Sequence, residues 1–346
     1  MTLQQLLGIS LPIIQAPMAG VQGSALTVAV SNAGGLGSLP CAMLRLDDMR
    51  KELTTIRAHT TKPFNVNFFC HAHPEFSVEK ESVWRAALSP YFAEFGIDPG
   101  AIPVGPERLS FNSEAAKALA EFRPAVVSFH FGLPSADLLV RVRAFGARIL
   151  SSATTVDEAR WLEAHGVDAI IAQGLEAGGH RGMFLSEDVS TQVGTLALVP
   201  QLVQAVKVPV IAAGGIADAK GVAAAMALGA AGVQVGTAYL LCSEATTTTL
   251  HRAALKSDAA RVTALTNLFT GRPARGIMNR IMRELGPMSA VFPLAASAIA
   301  PLRAGAESLG SSDFSPLWAG QNTTGCKEVA AGALTRELAR DFVEAG

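Results

Sequence analysis

The chain has 346 residues, 49% hydrophobic and 16% charged, with a formal net charge of −1. This composition suits one large α/β domain with an appendage, or two domains, and offers no basic surface for nucleic acid or acidic lipid. No basic leader precedes a long apolar run, no apolar run of membrane length goes uninterrupted, and Cys41, Cys70, Cys242 and Cys326 lie far apart. Those absences read as a cytoplasmic protein with reduced thiols and no membrane span.

In chain order, short apolar runs read as strands at Ile13–Ala16, Leu36–Ser38, Phe64–Asn67, Val126–Phe129, Arg148–Ser151, Ala169–Gln173, Val208–Ala213 and Gly232–Gly236. Helical patterns alternate with most of them, at Ser24–Asn32, Leu46–His59, Ser113–Phe122, Ser135–Phe145, Thr155–His165, Leu196–Val206 and Asp218–Leu228. Several open on a Ser, Thr or Asp suited to capping the first turn. Apolar strands alternating with helices imply a parallel sheet buried on both faces, and eight such units predict a closed (β/α)8 TIM barrel. Two segments break the rhythm: an insertion after the third strand, about 71–112, and a tail from about 250 onward without further strand alternation. The chain therefore divides into a barrel over 1–250 and a mainly helical segment over 251–346 that covers the barrel mouth.

Three glycine-marked segments follow strands. Gln173 to Gly182 sets His180 among glycines, Gly214-Gly215 follows the seventh strand, and Gln234-Val235-Gly236-Thr237 ends the eighth. Loops after strands seven and eight of such barrels commonly hold phosphate on backbone N–H groups, and Gly214, Gly215 and Gly236 leave room for it; tight turns alone would look similar. Asn67 and Gln173 bring amides to the same face, suited to a flavin-type ring or merely capping loops. His180 is the candidate acid/base group, against the plainer reading of a histidine bonding a backbone carbonyl. His130, also at a strand end, reads equally as a substrate contact or a packed side chain. Glu176 and Arg181 flank the glycines and read equally as part of the site or as a solvated pair. Cys70, His71 and His73 are a weak metal candidate, because alternation would split them between faces and no acidic partner stands at ligand spacing. No metal is expected.

Taken together, Pro12 to Gly20, Ser128 to Gly132, Gln173 to Gly182, Pro209 to Ile216, Gln234 to Leu240 and Leu317 to Gln321 resemble the nitronate monooxygenase family. The resemblance implies non-covalent FMN, with contacts from Asn67, Gln173, Gly178, Gly215 and Gln234 to Thr237, beside Gly179 and Gly214, and with Ala16 and Met18 near the ring. It places His180 as the catalytic histidine. The implied reaction oxidises an alkyl nitronate, such as propionate 3-nitronate, with O2 as co-substrate through a flavin semiquinone, giving a carbonyl compound and nitrite. The chain departs from the family in its pocket segment Val291 to Arg303, where tyrosines are often found and Phe292 with small residues stands instead; Tyr91 and Tyr239 are its only tyrosines. The alternatives are an NAD(P)H-dependent flavin reductase on the same fold, a flavin-binding barrel without turnover, and a flavin-free isomerase. The expected partner is a small-molecule nitronate, with the protein a monomer or homodimer.

Overall fold

The computed structural model describes residues 1–72, 77–102, 110–286 and 292–343. Eleven strands are seen among them: β1 (Ile13–Gln15), β2 (Gly37–Pro40), β3 (Phe64–Phe69), β4 (Val126–His130), β5 (Arg148–Ala153), β6 (Ala169–Gln173), β7 (Gly179–His180), β8 (Val210–Ala213), β9 (Gly232–Val235), β10 (Thr263–Thr266) and β11 (Ala274–Ile277). Eight of them form a parallel sheet in the order β1-β9-β8-β6-β5-β4-β3-β2, and a parallel bridge between Ile14 and Leu36 closes it. The predicted (β/α)8 barrel is thus the observed fold, with each predicted strand matched within a few residues.

Strand alternation sorts the side chains into two layers. Outward residues such as Ile13, Val66, Val127, Ile170 and Val233 pack with Leu26, Leu53, Leu119, Leu162 and Val222 of the surrounding helices. Inward residues, among them Ile14, Leu36, Val126, Leu150, Ile171 and Ile211, fill the barrel. Leu3 and Leu7 of the first helix join that interior, and Gly232, at the start of β9, leaves the space into which Leu3 fits. This end is therefore plugged. The helices around the barrel start where caps allow: Asn112, Thr155 and Asp218 each accept an N–H from the first turn.

The tail departs from expectation, because it contains β10 and β11. These strands form an antiparallel hairpin whose second strand pairs with β7, setting Ala274 opposite His180 and Arg275 opposite Gly179. Strands of four residues and two residues are too short to impose a period-2 hydrophobic pattern, and the pairing of β11 with β7 lies across a long sequence separation. The tail also shares a second core with the insertion. Trp84, Leu88, Tyr91 and Phe92 of the helix Val78–Glu94 pack against Ala298, Ile299 and Leu302 of the helix Ala295–Ser308, and against Ile281 and Phe314. Trp84 is fully buried and donates its indole N–H to the Ala295 carbonyl at 3.2 Å. We refer to this combined layer as the cap. Among the described residues no helix is long and apolar enough to cross a membrane.

Candidate active site

Polarity changes along the barrel axis. Towards the carboxyl ends of the strands, Asn65 Nδ2 donates to the Ser38 and Ser128 hydroxyls at 3.0 and 2.8 Å, and Asn67 Nδ2 donates to Ser128 Oγ at 3.0 Å. Above this layer lies a cavity of about 410 Å3. Ala16, Met18, Asn67, His130, Gln173, Gly178, Gly179, His180, Gly214, Gly215, Gln234, Gly236 and Thr237 all line it. Val235 does not; its side chain lies in the outer core, and its carbonyl accepts from Ala16 N at 2.8 Å. Cys70 and His71 lie beyond the end of β3, His73 and Val291 fall outside the described residues, and no metal-binding group of three His, Cys, Asp or Glu is formed among the described residues.

The loop bearing His180 is held from beneath by buried polar side chains. Gln173 Nε2 donates to the His180 carbonyl at 2.9 Å, while its Oε1 accepts from Gly182 N at 2.7 Å. Gln173 therefore clamps the loop with both ends of its amide. Arg181 is 1% exposed and donates to the Gly174 and Gln173 carbonyls, both at 2.7 Å, and to Gln192 Oε1 at 3.0 Å. Burial lowers its pKa to about 10, which leaves it charged at neutral pH. Glu176 turns elsewhere, accepting from Thr195 N and Thr195 Oγ1, each at 2.8 Å. The solvated-pair reading is thus replaced by two separate scaffold contacts, because each charged group finds nearer backbone or hydroxyl partners inside the fold. Glu158, buried under the same loop, accepts from Thr154 N at 2.7 Å and Phe184 N at 2.6 Å.

His180 itself faces the cavity. Its Nε2 lies 2.9 Å from Thr270 Oγ1, a hydroxyl in the β10–β11 connection. Phe69, Phe131, Phe292 and Trp318 surround its ring at centroid distances of 5.7 to 6.0 Å. His130 is locked by Ser152 Oγ at 3.1 Å on Nδ1 and by the His180 carbonyl at 3.1 Å on Nε2. Burial lowers its pKa to about 4, so it is neutral at pH 7. His130 thus packs against the loop and also borders the cavity, combining the two readings. Gly182 permits this contact, since a Cβ there would lie 2.9 Å from His130 Cε1.

The opposite wall is backbone. Gly214 and Gly215 adopt φ of +121° and +72°, conformations that favour glycine. The N–H groups of Gly214, Gly215, Gly236 and Thr237 meet no protein acceptor among the described residues. A Cβ at Gly236 would crowd Ala16 Cβ at 3.3 Å. Gln234 Oε1 is buried without a protein donor. Free N–H groups, a cradle cleared of side chains and an orphaned amide oxygen fit a phosphate-bearing ring cofactor such as FMN, whose ring edge carries an N–H donor. The tail closes over this wall: Gly320 N donates to Thr237 Oγ1 at 2.9 Å, Asn322 Nδ2 to the Gly215 carbonyl at 2.9 Å, and Gln321 N to the Glu176 carbonyl at 2.9 Å. Neither tyrosine lines the cavity. The Tyr91 hydroxyl donates to Glu284 at 2.8 Å, and that of Tyr239 meets Thr335 Oγ1 at 2.9 Å. Residue-level reading missed Thr270, Trp318, His251 and Arg303, all cavity-lining residues of the tail. Only the resemblance pointed to any of them, to Trp318 through Leu317 to Gln321 and to Arg303 through the pocket segment Val291 to Arg303.

A (β/α)8 barrel with a histidine facing a phosphate-type backbone cradle defines an enzyme site at the catalytic end of the barrel. A family model described as nitronate monooxygenase matches residues 1–341. A nitronate monooxygenase of Paraburkholderia phytofirmans is 44% identical, the match covering 97% of this chain and 93% of that protein. Among solved structures, a nitroalkane oxidase from Streptomyces ansochromogenes aligns with a TM-score of 0.89 at 39% identity, covering 99% of this chain and 98% of that one. FabK from Thermotoga maritima aligns with a TM-score of 0.73 at 26% identity, covering 100% and 97%. The site belongs to an oxidoreductase. The chain is a member of the nitronate monooxygenase family of flavin-dependent oxygenases.

Proposed function

We propose that this enzyme oxidises alkyl nitronates, propionate 3-nitronate among them, with O2 to a carbonyl compound and nitrite, holding FMN without a covalent link. The observation that carries the reading is His180 presented to the cavity on a clamped loop, across from the cleared glycine wall. Gly214, Gly215, Gly236 and Thr237 would hold the phosphate, with Gln234 and Asn67 at the ring. FMN, when bound, supplies the redox step towards O2.

The remaining work falls to the protein. The aromatic rings around His180 exclude water from a small substrate. With a nitronate, His180 orients the anion and stabilises its charge. With a neutral nitroalkane, it removes the α-carbon proton onto an imidazole nitrogen, leaving the nitronate. Thr270 and the clamp from Gln173 fix the ring for either task.

Anaerobic titration of the FMN-loaded protein with ethylnitronate, beside NADH and NADPH, tests the assignment. A change in flavin absorbance with the nitronate but neither nicotinamide, followed by nitrite release on admitting O2, is the expected result. Rapid bleaching by a nicotinamide would move the enzyme to the reductase reading.

A further inference from the structure

The cavity has a second polar region, walled by the cap. Thr248, His251 and Arg303 line it. His251, on the helix Thr249–Leu255, is 4% exposed; the Trp318 carbonyl accepts a hydrogen bond from its ring, yet its Nε2 has no partner among the described residues. Arg303 projects from the helix Ala295–Ser308. Its Nε donates to Glu307 Oε1 at 2.7 Å, and the same oxygen accepts from Ser315 Oγ at 2.7 Å. That grip orients the guanidinium by one edge and leaves Nη1 and Nη2 without acceptors among the described residues. A buried, unpartnered imidazole nitrogen and an oriented guanidinium therefore border one cavity, and nothing in the proposed handling of FMN or of the reacting carbon uses them.

We propose that Arg303 and His251 form a carboxylate-binding subsite at the cap side of the cavity. Arg303 supplies the Nη donors, whose planar geometry suits a carboxylate. The Trp318 carbonyl holds the one ring proton of neutral His251, so Nε2 supplies a third donor only after taking a second proton from solvent. Burial first, and then the Arg303 charge, lowers the pKa of His251 to about 4 against the smaller raising effect of the Trp318 carbonyl, so it is neutral at pH 7. A bound anion offsets both effects and favours the imidazolium. The charged groups near it are Arg303 and Glu307 from the facing helix. Arg252, on its own helix, spends its guanidinium on the Leu241, Cys242, Ala245 and Thr247 carbonyls. Binding is therefore coupled to proton uptake and weakens as pH rises.

The carboxylate has two chemical sources: the acid end of a carboxylated nitro substrate, or a free small carboxylate. The first rests on the function proposed above; the second does not. Isothermal titration of the FMN-loaded enzyme with 3-nitropropionate, propionate and 1-nitropropane, in two buffers of different protonation enthalpy, separates them. Expected is at least about tenfold tighter binding of 3-nitropropionate than of 1-nitropropane, with uptake approaching one proton. Arg303→Met should collapse that ratio and Arg303→Lys restore part of it, with flavin retention reporting the fold. His251→Gln should abolish the proton uptake. Propionate binding with the same proton signature assigns the site to free carboxylates as well, and silence from propionate assigns it to the substrate's acid end.

An unchanged ratio in Arg303→Met, or proton uptake that survives in His251→Gln, would overturn the subsite. Nitrite assays on the same samples keep the two proposals apart. An unchanged ratio with nitrite still formed removes the subsite alone, whereas the expected binding pattern with no nitrite from any nitronate removes the oxidation reading alone.

Discussion

The cavity is bounded on its barrel side by backbone and on its cap side by side chains. The barrel wall offers the N–H groups of Gly214, Gly215, Gly236 and Thr237, fixed by strand ends in a closed parallel sheet. The cap wall offers Thr270, Trp318 and Arg303, from segments that pack on the separate core containing Trp84, and His251, from a helix whose Leu255 packs in a further cluster. A wall of backbone suits a constant feature such as a phosphate, whereas a wall of side chains sets the chemistry of whatever lies beside it. His180 belongs to both, rising from the barrel loop while its strand pairs with the tail.

The largest expected effect tests that shared position. His180→Ala should retain FMN while turnover of a neutral nitroalkane falls by about 10²–10⁴, the usual contribution of a positioned acid or base. Flavin content and kcat/KM measured on one sample check it, and an unchanged pH–rate profile would remove the assigned role. Trp84→Ala should cost about 3–5 kcal/mol, as expected for emptying a buried aromatic site. Hydrogen exchange should then quicken in the helix Ala295–Ser308 while β4 and β5 stay protected; equal quickening in both would mean that barrel and cap open as one unit.

Gly178→Ala probes the seam. A Cβ there would lie 2.6 Å from both Ala319 C and Gly320 N, so the tail must shift away from the cradle. A cost of about 1–3 kcal/mol is expected from such overpacking, read as weaker FMN retention by equilibrium dialysis.

The last effect is one the two walls share. His130 and His251 both have pKa values lowered from 6.5 to about 4, first by burial. Between those values the unfolded chain binds more protons than the folded one, so stability should fall as pH drops from about 6.5 towards about 4. Denaturant midpoints at pH 7 and pH 5 measure this, and a midpoint that rises on acidification contradicts it.

The barrel was legible because parallel strands buried on both faces, such as Ala169–Gln173, are continuous apolar runs, and because Asn112, Thr155 and Asp218 mark helix starts. The glycines and His180 were legible for a related reason: their chain positions follow directly from strand ends. The cap was not. β7 has two residues, and Ala274, which pairs with His180, lies far along the chain, so their relation is carried by register rather than by local pattern. Arg181 and Glu176 misled for another reason, since charge near glycine suggests solvent and only the folded loop shows the carbonyls and hydroxyl that receive them. Gln173 was found at the cavity, but the use of its whole amide as a clamp needed coordinates.

The short strand at Gly179–His180 also bears on how the protein is made. A ribosome emits the eight barrel strands before it emits Ala274 and Arg275, the residues that pair with that strand, and before Thr270, which meets the imidazole. A nascent chain that ends with the last barrel strand therefore carries His180 without these restraints. The order of synthesis makes completion of the cavity around His180 a late event, dependent on the tail reaching back to a loop made long before it.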